Sequence, residues 1–217
     1  MKRKENETPR QLTEQEEKRT AKVEAMLSEL EQKGYRRQTV TISVLKANIY
    51  AILWLVPFAV LFIGLYNALG CKSGSELDNI SGLMIFVIIL VALVFVHEGL
   101  HGITFASFAP HHFQSIEFGV IWKYLTPYCC CTEPVSRPGY VLSAFMPCLV
   151  LGIVPCVVSL CTGSVFLLVT GLIMISGAGG DLTIIAKVLA FRTGGKEALF
   201  VDHPTGIGFI AMVKDAH

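Results

Sequence analysis

Four runs of this sequence are too long and too poor in charge to be ordinary segments of a water-soluble domain. They cover roughly residues 47–69, 80–108, 139–160 and 165–191. A helix needs about 20 apolar residues to cross the roughly 30 Å hydrocarbon core of a bilayer, and in lipid its backbone groups must pair within the helix. Each run therefore predicts one membrane-spanning helix. Charge is concentrated elsewhere: 11 of the 18 Lys and Arg, and 8 of the 17 Asp and Glu, fall in the first 46 residues. A polar head followed by a helical bundle is expected. No basic patch interleaved with aromatic residues is present, so a nucleic-acid partner is not expected.

The polar segments carry their own signals. The hydrophilic first 45 residues argue against a signal peptide. Thr13 and Glu16 form a T-x-x-E capping box, and Val23, Met26, Leu27 and Leu30 follow at helical spacing, which predicts an amphipathic helix over 14–33 closed by Gly34. Val40, Ile42 and Val44 alternate with Thr41 and Ser43 as a short strand-like approach to the first span. Between spans two and three, Ile116, Phe118, Val120, Trp122 and Tyr124 alternate, and a second run through Tyr128 lies between Pro127 and Pro134. This reads as a hairpin, whose edge either pairs with an unwound substrate segment or simply caps the bundle. The predicted fold class is an all-α polytopic membrane protein with about four transmembrane helices, a short β-hairpin between spans two and three and an N-terminal amphipathic helix. Its expected parts are a polar N-terminal segment (1–45), a membrane domain (46–192) and a tail (193–217).

Orientation follows from Lys and Arg. Lys33, Arg36, Arg37 and Lys46 precede span one, Lys123 and Arg137 lie between spans two and three, and Lys187, Arg192 and Lys196 surround the end of span four. The opposite side has only Lys72. Both termini and the 109–138 segment are thus expected on the cytoplasmic side.

Inside the second span the sequence reads F-V-H-E-G-L-H-G over 95–102. His97 and His101, four residues apart, share one helix face, and Glu98 stands beside the first. That H-E-x-x-H spacing suits two imidazoles holding zinc and a glutamate acting on water. In a membrane such groups need a reason to be present. Span four carries S-G-A-G-G-D over 176–181. Counting about 1.5 Å per residue from Leu83 and from Phe166 puts His97 and Asp181 about 21 Å and 22 Å along their helices, the same depth. An acidic residue at mid-membrane costs about 2.5–3.5 kcal/mol, and no other Lys or Arg is available at that depth to pair with Glu98 or Asp181. Structural zinc sites bind with about 10–16 kcal/mol, enough to offset that cost. Gly177, Gly179 and Gly180 are expected to permit close helix approach or local unwinding.

Together, H-E-G-L-H-G at 97–102 and S-G-A-G-G-D-L at 176–182 resemble the site-2-protease-like membrane zinc metalloproteases. More closely, they resemble the small bacterial membrane proteins grouped as zincin peptidases. The resemblance covers roughly residues 45–210. It implies a multi-pass bacterial cell-membrane enzyme with Zn²⁺ held by His97, His101 and Asp181, Glu98 as the catalytic base, and a membrane-protein or peptide substrate. The family's N-P-D-G or L-D-G setting is replaced here by G-G-D-L. A rival reading is a non-proteolytic metal-binding membrane protein, closed by a fourth ligand from Cys148 or Cys156. The adjacent Cys129, Cys130 and Cys131 lack zinc-knuckle spacing, and seven cysteines in all do not suggest a disulfide framework. Asp202-His203-Pro204 in the tail reads as a turn.

Overall fold

The computed structural model describes residues 12–71, 80–121 and 126–215. The loop with Lys72, Glu76 and Asp78, and the hairpin turn with Trp122, Lys123 and Tyr124, lie outside the described residues. The chain is mostly helical. Helix α1 (Glu14–Gln32) opens with the expected capping box, in which the Thr13 side chain accepts from the Glu16 N–H. Thr13→Ala is expected to cost about 1 kcal/mol, a typical value for a lost cap, visible as faster amide exchange confined to the first turn of α1.

After Gly34, at φ +84°, strand β1 (Tyr35–Thr41) leads to α2 (Val44–Ala68). Helix α3 (Ile80–Phe108) is the second long apolar helix. Strands β2 (Ile116–Ile121) and β3 (Thr126–Cys131) form the expected hairpin. A short β4 (Val135–Ser136) then enters α4 (Arg137–Pro147), which passes through a π-helical stretch at Cys148–Ile153 into α5 (Val154–Thr162). Pro147 and Pro155 flank or closely follow that stretch, and each lacks the N–H that an α-helical ladder requires. Helices α6 (Val165–Gly177) and α7 (Gly179–Ala190) meet at a 50° bend around Ala178.

Three helices, α2, α3 and the α4–α5 unit, are long and apolar enough to cross a membrane, and the bent α6–α7 pair makes four if it is one span. Large apolar side chains cover their outer faces, for example Leu45 and Val60, each 70% exposed, and Ile80, 78% exposed. A surface that apolar matches lipid better than water.

The tail departs from expectation. It forms β5 (Ala198–Asp202) and β6 (Gly208–Lys214), which join β1 and β4 in a four-stranded antiparallel sheet ordered β1-β6-β5-β4. The fold is therefore not purely helical outside the hairpin. One face of the sheet packs Val201, Ile210 and Met212 against Val23 and Leu27 of α1. The other packs Phe200, Phe209 and Ala211 against Phe105, Tyr140 and Val188 at the end of the bundle. Burial on both faces explains the unbroken F-I-A-M-V run, which lacks the alternation of a half-exposed strand. Arg37 on β1 and Glu24 on α1 form a paired ion bridge at 2.6 and 2.7 Å, and the guanidinium holds the Glu24 carboxyl below its ordinary range. The strands next to spans one, three and four thus share one sheet at one end of the bundle.

Candidate metal centre

His97 and His101 are both buried on α3, and their rings meet edge to face with centroids 4.8 Å apart. Asp181 reaches them from the first turn of α7, where the helix N-terminus favours a carboxylate. The bend at Ala178 puts it there. A Cβ on Gly179 would lie 2.3 Å from the Ala51 Cα, so only glycine allows α7 to seat this closely against α2. Gly177 and Gly180 meet nothing within 4 Å, so they make no close helix approach, and Gly177 instead ends α6 at the bend.

The three donor atoms form a tight triangle. His97 Nε2 is 3.2 Å from Asp181 Oδ2 and 3.2 Å from His101 Nε2, and His101 Nε2 is 3.5 Å from Asp181 Oδ2. Zinc bonds of about 2.0–2.1 Å in tetrahedral geometry put neighbouring ligand atoms about 3.3 Å apart, so the residues fit that ion. Hydrogen bonding supports the same conclusion. His101 Nδ1–H donates to the Ser143 carbonyl at 2.9 Å, which leaves Nε2 of the neutral ring with a lone pair facing a carboxylate. Two acceptors in that position are stable only with a cation or a proton between them.

Ser143 is available for a local reason. Four residues later stands Pro147, which has no N–H, so the Ser143 carbonyl has no α-helical donor and is free to hold His101. Ser143 was not visible as a site residue in the sequence, although Pro147 within span three was its trace. Ser143 Oγ is also a buried side-chain atom with no hydrogen-bond partner among the described residues.

Glu98 is not part of the triangle. It is half-buried beside it, on the helix that packs against β3. Antiparallel pairing decides which amides of β3 face away from β2. Glu117 pairs with Cys130, and Thr132 N–H donates to the Ser115 carbonyl, so the alternate amides of Cys129 and Cys131 point away from β2. The Cys131 amide donates to Asp202 at 2.8 Å. The outward Cys131 amide on that edge of β3 is thus engaged by a carboxylate of the chain itself.

The cysteines stay outside the cluster. Among the described residues the metal-sized group is His97, His101 and Asp181, with no thiol in it. Burial, then the Asp202 charge, pushes the Cys129, Cys130 and Cys131 thiols up, Cys131 to about 12, so they remain protonated rather than thiolate. The Asp181 side chain is 29% exposed while those of His97 and His101 are 10% and 8%, leaving the triangle open on the carboxylate side.

Residues 89–194 match a family model described as "Putative zincin peptidase". The matched stretch, just under half of the chain, contains His97, Glu98, His101 and Asp181 together with the β2–β3 hairpin. Helices α1 and α2 and the β5–β6 hairpin lie outside it. The match supports a zinc-peptidase family. No curated protein and no solved structure matches the chain.

Proposed function

We propose that this chain is a zinc-dependent intramembrane peptidase of the site-2-protease-like kind. It would hydrolyse a peptide bond of a membrane-associated protein or peptide near the cytoplasmic face. The observation that carries this reading is the 3.2–3.5 Å triangle of two imidazole nitrogens and one carboxylate oxygen, inside a bundle of apolar helices. His97, His101 and Asp181 would hold the ion. A zinc ion bound there supplies Lewis acidity toward water and toward the substrate carbonyl.

The remaining chemistry belongs to Glu98. Its carboxylate takes a proton from the attacking water as the oxygen bonds to the carbonyl carbon, and passes that proton to the amide nitrogen as the C–N bond breaks. It ends the cycle ionised, as it began. The Ser143 carbonyl keeps the His101 ring in the tautomer that offers Nε2. The outer faces of α2 and α3 meet lipid. The shared sheet, flanked by Lys33, Arg36, Arg37, Arg192 and Lys196, is placed on the cytoplasmic side by the positive-charge rule, with both termini. The rival structural metal site calls for a fourth protein ligand, and no cysteine joins the group among the described residues.

Elemental analysis of detergent-purified protein prepared without chelator tests the centre. Wild type is expected to carry about one zinc per chain, and His97→Ala and Asp181→Ala to lose it while still inserting in the membrane. Metal-free wild type would remove the catalytic reading. Unchanged zinc in Asp181→Ala would remove Asp181 from the ligand set.

A further inference from the structure

We propose that Asp202 is a positioning residue, whose carboxylate fixes β3 and α4 together and so sets the place of Glu98 and His101. The inference rests on the peptidase reading for its catalytic consequence, but its geometry stands apart. Asp202 ends β5, outside the stretch matched by the family model. One carboxylate oxygen, Oδ1, accepts from the Tyr140 hydroxyl at 2.5 Å, and the other, Oδ2, accepts from the Cys131 amide at 2.8 Å.

Each of those partners lies one step from a group that holds the centre. Tyr140 is on α4, one helical turn before Ser143, whose carbonyl accepts from His101. Cys131 is on β3, which packs against α3, the helix that carries Glu98. A single carboxylate thus joins the two supports. Tyr140 is buried against Phe105, Phe200 and Phe209, so its hydroxyl has little freedom to find another acceptor.

A second tie reinforces the first. Arg19 of α1 is buried, and its Nε donates to the Pro204 carbonyl at 2.6 Å while Nη1 donates to the Tyr128 hydroxyl at 2.6 Å. The guanidinium also lies 4.8 Å from the centre of the Tyr128 ring. The Asp202-His203-Pro204 turn is therefore bound to β3 at both ends, through Cys131 and through Tyr128. Alanine removes both acceptors, whereas asparagine would keep Cys131 on its oxygen and donate its NH₂ group to the Tyr140 hydroxyl oxygen.

Asp202→Ala can be compared with wild type and with Glu24→Gln, which breaks the Arg37 bridge between α1 and β1. Amide exchange at Cys130 and Cys131 is the primary readout, since it needs neither substrate nor turnover; Cys130 pairs with Glu117 of β2 and Cys131 donates to Asp202. Exchange at both amides is expected to rise at least about tenfold in Asp202→Ala and to stay at the wild-type rate in Glu24→Gln. With a cleavable peptide, kcat of Asp202→Ala is expected to fall between about tenfold and hundredfold, the scale of a displaced catalytic group, with KM and zinc content unchanged. Faster exchange at Cys131 alone, with Cys130 still protected, would reduce Asp202 to a local clip and overturn the proposal. A kcat equal to wild type, or lowered equally by Glu24→Gln, would overturn it as well. Failure of the peptidase reading is recognised separately, by undiminished cleavage in Glu98→Gln, and leaves the exchange result standing.

Discussion

Glu98→Gln is expected to cut peptide cleavage by about 10²–10⁴-fold while leaving zinc content and the fold intact, the usual range for loss of a general acid–base group. The substitution is close to isosteric. Glutamine keeps the size and shape of the side chain, so the packing of α3 against β3 survives. Glu98 also lies outside the donor triangle of His97, His101 and Asp181, so removing its charge takes no ligand away. What disappears is the ability to receive a proton from water and return it to the leaving nitrogen. The measurement is kcat on a candidate membrane peptide, made beside elemental analysis of the same preparation. Full zinc with undiminished cleavage would show that another group moves the proton. Loss of zinc would instead mean that Glu98 is bound into the metal site, contrary to the geometry.

The clustering of His97, His101 and Asp181 was largely legible in the sequence because its logic is local. The four-residue spacing of His97 and His101 fixes them on one face, and the depth count that matched Asp181 to His97 agrees with the 3.2 Å between them. The long apolar helices and the α1 capping box were legible for the same reason, each being written in a short stretch. What could not be read depends on partners far away in the chain. Strand β1 pairs with β6 from Tyr35 opposite Lys214 to Thr41 opposite Gly208. No pattern near residue 35 announces a partner beyond residue 207. The tail strands were obscured further because burial on both faces removes alternation, and because the Pro204 to Gly208 turn draws attention to itself as a loop. Asp202 was read as part of that turn. Its role becomes visible only once Tyr140 and Cys131 are brought to it by two separate elements, α4 and β3.

Gly179→Val is expected to be among the most damaging single changes outside the donor set, because the atoms it would meet cannot move aside. The new Cβ would fall 2.3 Å from the Ala51 Cα and 2.7 Å from the Ala51 Cβ, so relief requires α2 and α7 to separate. Overpacking a well-filled contact costs about 1–3 kcal/mol where side chains can adjust, and a clash against backbone lies at or above the top of that range. The position matters as much as the cost. Asp181 is two residues further along α7, in the same first turn, so a shift of the helix start carries the carboxylate away from His97 and His101. The variant is expected to unfold at lower temperature and to retain little zinc after purification. Gly177→Ala and Gly180→Ala serve as its controls, since nothing lies within 4 Å of a Cβ at either place. Both are expected to keep zinc. If Gly179→Val also kept it at wild-type stability, the close seat against α2 would not be what positions Asp181, and the bend at Ala178 alone would have to account for it.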